Sequence, residues 1–188
     1  MSRKESRRRI VEAATDLVRQ RSYADLSVDA VMREAGIGRT IFYRHFDDLG
    51  DLLLRVSREA VLELFEAQRG FVEARNGEPT DAVRRSLEAA VEVYQRHGPL
   101  LRAVAEAAAG DEQIAAEYAQ ILDRFSEFAE HALRDVAGVE RADLAETARA
   151  LNLMNATYLA DSFGREPRVS SETAVRTLTE IWDAVIHR

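Results

Sequence analysis

Residues 27–46 read SVDAVMREAGIGRTIFYRHF, a pattern that predicts two short helices joined by a tight turn. Ser27 can cap the first helix, because its side-chain oxygen can accept a hydrogen bond from a backbone N–H that has no partner in the helix. Gly36 stands where a helix ends in the left-handed conformation, which glycine adopts without steric cost. The second helix should then begin at Gly38 or Arg39 and end near Phe46.

The two predicted helices each have an apolar and a polar face. Apolar residues recur at helical spacing and should point inward, namely Val28, Val31, Met32, Ile41, Phe42 and Phe46. The outward side chains of the second helix are hydrogen-bonding or basic: Arg39, Thr40, Tyr43, Arg44 and His45. A helix, a glycine-containing turn and a second helix form the arrangement that places the second helix in the DNA major groove. An ordinary corner between two helices has the same outline, but the short and polar second helix favours DNA binding.

The segment AGIGRTIFYRHF, which follows a helix with the pattern S-V-x-x-V, resembles the signature of TetR-type transcriptional repressors over residues 8–54. The resemblance implies a helix-turn-helix head at residues 1–48, followed by a ligand-binding and dimerisation body at residues 49–188. The candidate DNA contacts are Ser27, Arg39, Thr40, Tyr43, Arg44 and His45. Arg39 could read a base edge, whereas Thr40 and Tyr43 could equally hold phosphates. The sequence departs from the family at Leu49, where a lysine often meets a DNA phosphate.

Composition and charge agree with a module that approaches DNA. Residues 1–46 hold ten Lys or Arg against six Asp or Glu, whereas the remaining residues hold 16 against 27, so the basic charge is concentrated in the head. The basic stretch Ser2–Arg9 is expected to be an arm that contacts the minor groove, or else a disordered solubilising tail. The chain has no cysteine and no long apolar run, so we expect a cytoplasmic bacterial protein, associated with the nucleoid when bound to DNA.

Helical periodicity continues to the end of the chain, and no strand pattern occurs. We predict an all-α fold of nine helices, in which a three-helix head is joined by a fourth helix to a six-helix body. The fourth helix should run from Leu49 to about Arg75, with Phe71 in its apolar stripe. Breaks are expected at Asn76–Pro79 and again at Gly98–Pro99.

One predicted helix of the body, residues 110–136, has an apolar and aromatic stripe. Such a stripe is typical of a plain helical core, and also of the wall of an apolar cavity. The segment ALNLMN at residues 150–155, followed by DSFGREP and by Trp182, resembles the ethionamide-regulator branch of the TetR family, in which an apolar tunnel opens through the body. The predicted ligand-binding residues are Tyr94, Tyr118, Leu122, Phe125, Phe128, Asn152, Asn155, Leu159 and Trp182.

The two asparagines of this segment are the expected polar anchors. The resemblance implies that Asn152 and Asn155 reach into the tunnel and hydrogen-bond a ligand carbonyl group. A buried asparagine needs partners for up to four hydrogen bonds, which suits the anchor of an otherwise apolar site. The alternative is that one asparagine faces the tunnel and the other faces water or a second protomer.

The last two predicted helices have narrow apolar seams that suit a four-helix bundle completed by a second copy of the chain. The predicted interface residues are Leu144, Leu151, Tyr158, Val175, Leu178 and Val185. Both seams could instead pack on the protomer's own body. A palindromic operator favours the homodimer, because it requires two recognition helices about 34–36 Å apart.

These observations predict a repressor that binds a palindromic operator as a dimer and leaves it when an apolar small molecule fills the body. The fourth helix is the expected lever, because it touches both the head and the body. The first alternative is a DNA-binding regulator with no small-molecule ligand. The second, a helical-bundle enzyme, is disfavoured because the histidines are scattered and Phe128 stands where a Glu-x-x-His pair with His131 would need a glutamate. We therefore expect no catalytic residue, no cofactor and no metal site.

Overall fold

A computed structural model describes residues 1–73 and 78–187, and the side chains of residues 70–73 also lie outside the description. The protein is 82% helical and has no β-strand in the described ranges, which confirms the predicted all-α fold. The α-helices are α1 (Arg3–Gln20), α2 (Val28–Ala35), α3 (Leu49–Glu73), α4 (Pro79–Ala108), α5 (Glu112–Asp135), α6 (Leu144–Phe163) and α7 (Ser171–Ile186). Some predictions fall on residues that the structure does not describe: the backbone of Arg75, Asn76 and Gly77 and the side chain of Phe71.

The predicted turn between two helices is present in the head. The Ser27 side chain accepts a hydrogen bond from the Ala30 N–H at 3.1 Å and caps α2. Gly36 ends α2 with a φ of 66°, the left-handed conformation that a side chain would disfavour. The head core contains Ile10, Ala13, Ala14, Leu17, Val31, Met32, Ala35, Phe42, Phe46 and Leu52.

The second helix of the motif is a 3₁₀ helix, Arg39–Arg44, rather than an α-helix. We call it the recognition segment. Phe42 lies within the segment and Phe46 follows it by two residues. Both side chains are almost completely inaccessible to solvent and hold the segment against α1 and α2. Six residues form less than two α-helical turns, so tertiary packing of the aromatic side chains stabilises the segment more than its own hydrogen bonds do.

The basic N-terminal stretch is helical, so the expectation of a flexible arm or a disordered tail at Ser2–Arg9 is wrong. Helix α1 begins at Arg3, and the Ser2 side chain caps it by accepting from the Glu5 N–H at 3.1 Å. Arg8 forms ion pairs with Glu5 and Glu12 along the helix surface, which adds local support. The basic side chains of this stretch are therefore presented from a rigid scaffold.

Helix α4 runs through Gly98 and Pro99, where a break between two helices had been predicted. An internal proline costs a helix about 3 kcal/mol. The helix continues because apolar side chains on both sides of the proline are buried, including Val91 before it and Leu100 and Val104 after it. Each fully buried side chain of this size contributes about 1.5–3 kcal/mol, which is enough to offset the proline.

Helix α4 also connects the head to the body. A buried group that we call the junction cluster contains Val18, Leu53, Leu100, Ala103, Val104, Ala107 and Ile114. These residues come from α1, α3, α4 and α5, so the head packs directly on the second half of α4. The body core lies beyond it, between α3, α4, α5, α6 and α7.

Three of the predicted dimer-interface residues lie inside the protomer. Leu144, Leu151 and Leu178 are between 1% and 6% exposed and belong to the body core, so their side chains pack within the protomer, as the alternative for these seams expected, and the interface itself stays a prediction. The heptad-like spacing identified the inward face of each helix, because a core seam and an interface seam have the same period. Tyr158, Val175 and Val185 are partly exposed.

Candidate DNA interface and ligand cavity

The recognition segment presents its predicted contact residues on the protein surface. Arg39, Thr40, Tyr43 and Arg44 are exposed, and Tyr43 is 51% accessible despite its aromatic ring. Ser27, at the start of α2, is also exposed. The polar side chains therefore lie on one outward face, opposite the buried aromatic anchors.

Arg39 is held by two neighbours on this face. Its guanidinium donates to both carboxylate oxygens of Asp29, at 3.0 and 2.9 Å, and to the Tyr43 hydroxyl at 3.2 Å. The guanidinium also lies 5.9 Å from the centre of the Tyr43 ring. The planar fork of an arginine is therefore already oriented, although an acidic group competes for it.

His45 lies among basic groups where α1 meets the end of the recognition segment. Its Nε2 is 2.8 Å from the Ser6 hydroxyl. Burial lowers the pKa of the imidazole below its ordinary 6.5, and the nearby charges of Arg3, Arg7 and Arg44 lower it further. These arginines come from two separate stretches of the chain, which the fold brings together into one basic patch beside the recognition segment.

An apolar cavity of about 80 Å³ lies in the body between α3, α4, α5 and α6. Seven of the nine predicted ligand-binding residues line it: Tyr94, Tyr118, Leu122, Phe125, Asn152, Asn155 and Leu159. Burial raises the pKa of the Tyr94 and Tyr118 hydroxyls, so both phenols stay protonated and can donate hydrogen bonds.

The other two predicted residues, Phe128 and Trp182, line a second cavity of about 50 Å³ next to the first. They are therefore not part of the first cavity. Gln68, Leu87, Ala90 and Asn155 border both cavities and form a neck between them. This neck consists of side chains from α3, α4 and α6, and two of the four are amides.

The two asparagines have different hydrogen-bond partners. Asn152 uses its Nδ2 to donate to the Leu122 carbonyl at 3.0 Å and to the Ser126 hydroxyl at 3.2 Å, so it ties α6 to α5. Asn155 accepts from the Trp182 Nε1–H at 3.3 Å, a long hydrogen bond to α7. Both border the first cavity, where Asn152 is buried and Asn155 is partly exposed.

Sequence reasoning missed every cavity residue on α3, one on α5, two on α6 and four on α4, and the missed residues include Val61, Gln68, Ile121, Leu101 and Val104. The apolar period of α3 was visible, but a period does not show whether a face meets packed atoms or open space. A surface groove between α3 and α5 shares Ser57, Val61 and Ile121 with the first cavity and lies directly beside it.

A buried arginine connects the cavity wall to the head. Arg102 of α4 is 8% exposed and donates to the backbone carbonyls of Val18 and Arg21 in the head, at 2.9 and 3.1 Å. It also donates to the Gly164 carbonyl at the end of α6, at 2.9 Å, and pairs with Glu106. Glu106 in turn accepts from the Tyr23 N–H at 2.7 Å. Two successive turns of α4 thus hold the end of α1 and the turn that follows it.

Comparison with known proteins identifies both parts of this architecture. Residues 10–56 match the family model described as bacterial regulatory proteins, tetR family, and residues 83–187 match the model for the C-terminal domain of the transcriptional regulator EthR. The second match alone covers more than half of the chain. The chain belongs to the TetR family, in its EthR-like branch. It is therefore a DNA-binding transcriptional regulator of the TetR type.

Relatives match this TetR-family chain over almost its whole length. The EthR regulator of Mycobacterium tuberculosis (strain ATCC 25618 / H37Rv) is 30% identical over 186 residues, which cover 95% of this chain and 85% of the relative. The EthR regulator of Mycolicibacterium smegmatis is 28% identical over 180 residues, with 92% and 82% covered.

Solved structures of other TetR regulators share the fold. A TetR-like transcriptional regulator from Rhodococcus sp. RHA1 superposes with a TM-score of 0.74 at 19% identity, covering 97% of each chain. PfmR, a TetR family transcriptional regulator from Thermus thermophilus, gives a TM-score of 0.73 at 22% identity, covering 92% of this chain and 95% of its own.

Two further observations complete the description of this TetR-family chain. Leu49, which replaces the frequent lysine, begins α3 and packs partly buried against the head core, so its side chain stabilises the head. Within the described residues, no three His, Cys, Asp or Glu side chains form a group that could hold a metal ion, and no helix has the length and apolar character to cross a membrane.

Proposed function

We propose that this TetR regulator is a homodimeric repressor that binds a palindromic operator and leaves it when an apolar small molecule enters the body. The observation that carries the proposal is the double role of α4. Leu101 and Val104 line the cavity, whereas Arg102 and Glu106, on the same two turns, hold the head. Val104 also belongs to the junction cluster, which contains Val18 of the head.

The small size of the cavity explains how a ligand would act on this helix. The first cavity measures about 80 Å³, whereas pockets for drug-sized ligands measure about 300–1,000 Å³. Entry of such a molecule must push the cavity wall apart, and closely packed helices transmit that displacement because they compress little. Helix α3 is the fourth helix of the sequence prediction, which counted the recognition segment as a helix. Movement of α3 and α4 would rotate each head and change the distance between the two recognition segments.

A homodimer is supported by the outward face of α6. Residues 150–160, ALNLMNATYLA, contain no charged side chain. Leu153 and Thr157 lie on the face opposite the buried Leu151 and Leu159, whereas Met154 and Tyr158 lie at the edge of that face and pack partly against the body core. An uncharged and largely apolar helix face of this kind suits contact with a second copy, and the exposed Ile181 on α7 can extend it.

The dimer is tested by analytical ultracentrifugation. We expect the wild-type protein to sediment as a dimer and Leu153→Glu to sediment as a folded monomer with weakened DNA binding. Glu180→Gln, on an exposed part of α7, is the control and should remain dimeric. A wild-type monomer, or a Leu153→Glu dimer, would contradict the proposed interface.

The operator is tested by selecting binding sites from a random duplex library with the full-length protein. We expect enrichment of sequences with two-fold symmetry and half-sites about one duplex turn apart, bound with strong salt dependence. Enrichment of asymmetric sites, or no enrichment, would contradict a symmetric dimer on a palindrome.

Ligand control is tested by thermal unfolding in the presence of apolar esters, amides and acyl chains, followed by fluorescence anisotropy on the selected operator. A ligand at 100 times its dissociation constant should stabilise the protein by about 2.7 kcal/mol and release the DNA. Absence of stabilisation across the panel would favour the second candidate, a DNA-binding regulator whose body serves dimerisation without a small-molecule ligand.

A further inference from the structure

The neck between the two cavities contains an acceptor without a donor. The side-chain oxygen of Gln68, on α3, is inaccessible to solvent and has no hydrogen-bond partner among the described residues. Gln68 borders both cavities, so this oxygen belongs to the wall of the proposed ligand site. Leaving a buried carbonyl oxygen unpaired is unfavourable, and most such atoms in folded proteins have a partner.

A second amide, that of Asn155 on α6, borders the same neck. Asn155 uses its Oδ1 to accept from Trp182 Nε1–H, so its Nδ2 is the group of this side chain that can donate a hydrogen bond. Asn155 borders both cavities as Gln68 does. The remaining wall of the neck is formed by the apolar side chains of Leu87 and Ala90. The neck therefore offers one acceptor and one donor within an apolar surround.

We propose that Gln68 is a specificity-determining residue that selects effectors with an N–H donor beside a carbonyl group, such as a secondary amide, a carbamate or a urea within an apolar chain. The effector N–H donates to Gln68 Oε1, and the effector carbonyl accepts from Asn155 Nδ2. Apolar parts on either side of this group occupy the two cavities. The inference rests on the proposed function, because it assumes that an effector enters the body.

An ester of the same shape is the informative competitor. It retains the carbonyl group for Asn155, but an oxygen replaces the N–H, so Gln68 Oε1 would remain unpaired and would face a second acceptor. A site that hydrogen-bonds a polar group discriminates strongly against an analogue that lacks it, because a buried partner is then left unsatisfied. An ester preference would be expected of a purely apolar cavity, since an amide loses more hydration on burial.

The first test uses matched pairs of N-alkyl benzamides and alkyl benzoates with chains of four to ten carbons, measured by isothermal titration calorimetry on the full-length protein. The wild-type protein should bind the amide of a pair about fivefold or more tightly than the ester, as expected for one neutral hydrogen bond. Gln68→Met, which keeps the length of the side chain but removes the amide, should abolish or reverse that preference. Gln20→Met, at an exposed position on α1 away from both cavities, is the matched control and should preserve it.

The second test needs no effector. Because the unpaired oxygen destabilises the free protein, Gln68→Met should raise the Tm by about 2–4 °C, and Gln20→Met should leave it unchanged. Gln68→Leu provides a second variant should the methionine pack poorly. A Tm that falls in both Gln68 variants would show that the side chain has a structural partner and would contradict the proposal.

The outcomes separate this inference from the proposed function. Equal binding of amide and ester, or a preference that survives Gln68→Met, would overturn the role of Gln68 and leave ligand control intact. Failure of every pair to bind would overturn this inference, and failure of the whole panel of esters, amides and acyl chains would overturn ligand control as well. A preference for the amide that depends on Gln68, together with a more stable Gln68→Met protein, supports the proposal.

Discussion

The side chain of Arg39 shows how a surface residue can be arranged before it meets DNA. Its guanidinium is shared between the Asp29 carboxylate and the Tyr43 hydroxyl, so DNA has to compete with Asp29 for it. A guanine edge offers two acceptors that match the arginine fork, and a phosphate offers charge without sequence information. The two roles predict different results on different DNA.

Substitution of Arg39 separates base reading from phosphate binding. If Arg39 reads a base, Arg39→Ala should weaken binding to the selected operator by about tenfold and binding to unrelated duplex by much less. Fluorescence anisotropy at a fixed salt concentration measures both affinities. Equal weakening on the two duplexes would show that Arg39 contacts the DNA backbone alone.

The position of His45 predicts a pH dependence of stability. Burial and the neighbouring Arg3, Arg7 and Arg44 lower its pKa below 6.5 in the folded protein, so the unfolded chain binds more protons between the two pKa values. The free energy of unfolding should therefore fall as the pH decreases from about 6.5 through the folded pKa, and the contribution should be fully present above 6.5.

Replacing His45 by glutamine tests this assignment. The His45→Gln protein should lose less stability than the wild type when urea unfolding is compared at pH 7.5 and at pH 5. The other histidines are present in both proteins, so the difference between the two proteins in stability lost from pH 7.5 to pH 5 measures the contribution of His45. Parallel pH profiles would contradict the lowered pKa.

Helix α4 continues through Gly98 and depends on the small size of this residue, although the sequence predicted that the helix would end there. A side chain at Gly98 would place its Cβ 2.3 Å from the Phe163 carbonyl oxygen, closer than atoms can approach. The absence of a side chain therefore allows α4 and the end of α6 to cross in contact. Gly98 and Pro99 look like a helix stop in the sequence, whereas in the fold the glycine marks a helix crossing.

Gly98→Ala should destabilise the protein although alanine favours helices by about 1 kcal/mol. Overpacking against backbone atoms costs about 1–3 kcal/mol or more, so we expect a net loss of about 2 kcal/mol in urea unfolding. Gly110→Ala is the matched control, because its Cβ would meet no atom within 4 Å. A Gly98→Ala protein as stable as the control would contradict the close crossing.

At the scale of the whole molecule, Arg102 is the strongest candidate for the connection between the head and the body. It bonds to carbonyl groups of Val18, Arg21 and Gly164 and pairs with Glu106, so it joins α1, α4 and the end of α6. A buried arginine with several carbonyl partners favours one relative orientation of the parts that it joins. That orientation is what an effector would have to change.

Removal of this side chain should affect both stability and regulation. Arg102→Met leaves Glu106 and three carbonyl groups without their partner, and we expect the free energy of unfolding to fall by about 3 kcal/mol. The same variant should show a smaller loss of operator affinity on addition of an effector. Arg149→Met, which removes an exposed ion pair with Glu146, should change neither property measurably.

Much of the structure of the head could be predicted from the sequence, because its helix ends depend on residues that are close together in the chain. The cap at Ser27 and the left-handed Gly36 depend on residues within a single turn, and both are present in the structure. The boundary of the head at residue 48 remains a prediction, as do the individual DNA contacts. The 3₁₀ form of the recognition segment was not predictable, because packing of Phe42 and Phe46 decides it.

The body was less predictable, because apolar period alone does not distinguish a core from a cavity or from an interface. Leu151 and Tyr158 follow the same seam in the sequence, yet one lies in the core and the other is partly exposed. Among the predicted residues that line the first cavity, Tyr118, Leu122 and Phe125 came from an apolar stripe in the sequence, whereas Asn152 and Asn155 came from a family resemblance. The sequence did not identify Gln68, because a glutamine in an amphipathic helix fits the same pattern whether its side chain is buried or exposed to solvent.

The sequence by itself determined the all-α class, the turn in the head and the family, since these depend on local periodicity, caps and a specific motif. The tertiary structure alone decided that α4 is continuous, that Arg102 joins the head to the cavity wall, and that Gln68 has a buried acceptor without a donor. The physical reason is that burial and hydrogen-bond satisfaction depend on distant segments. Arg102 and Val18, for example, are 84 residues apart in the chain.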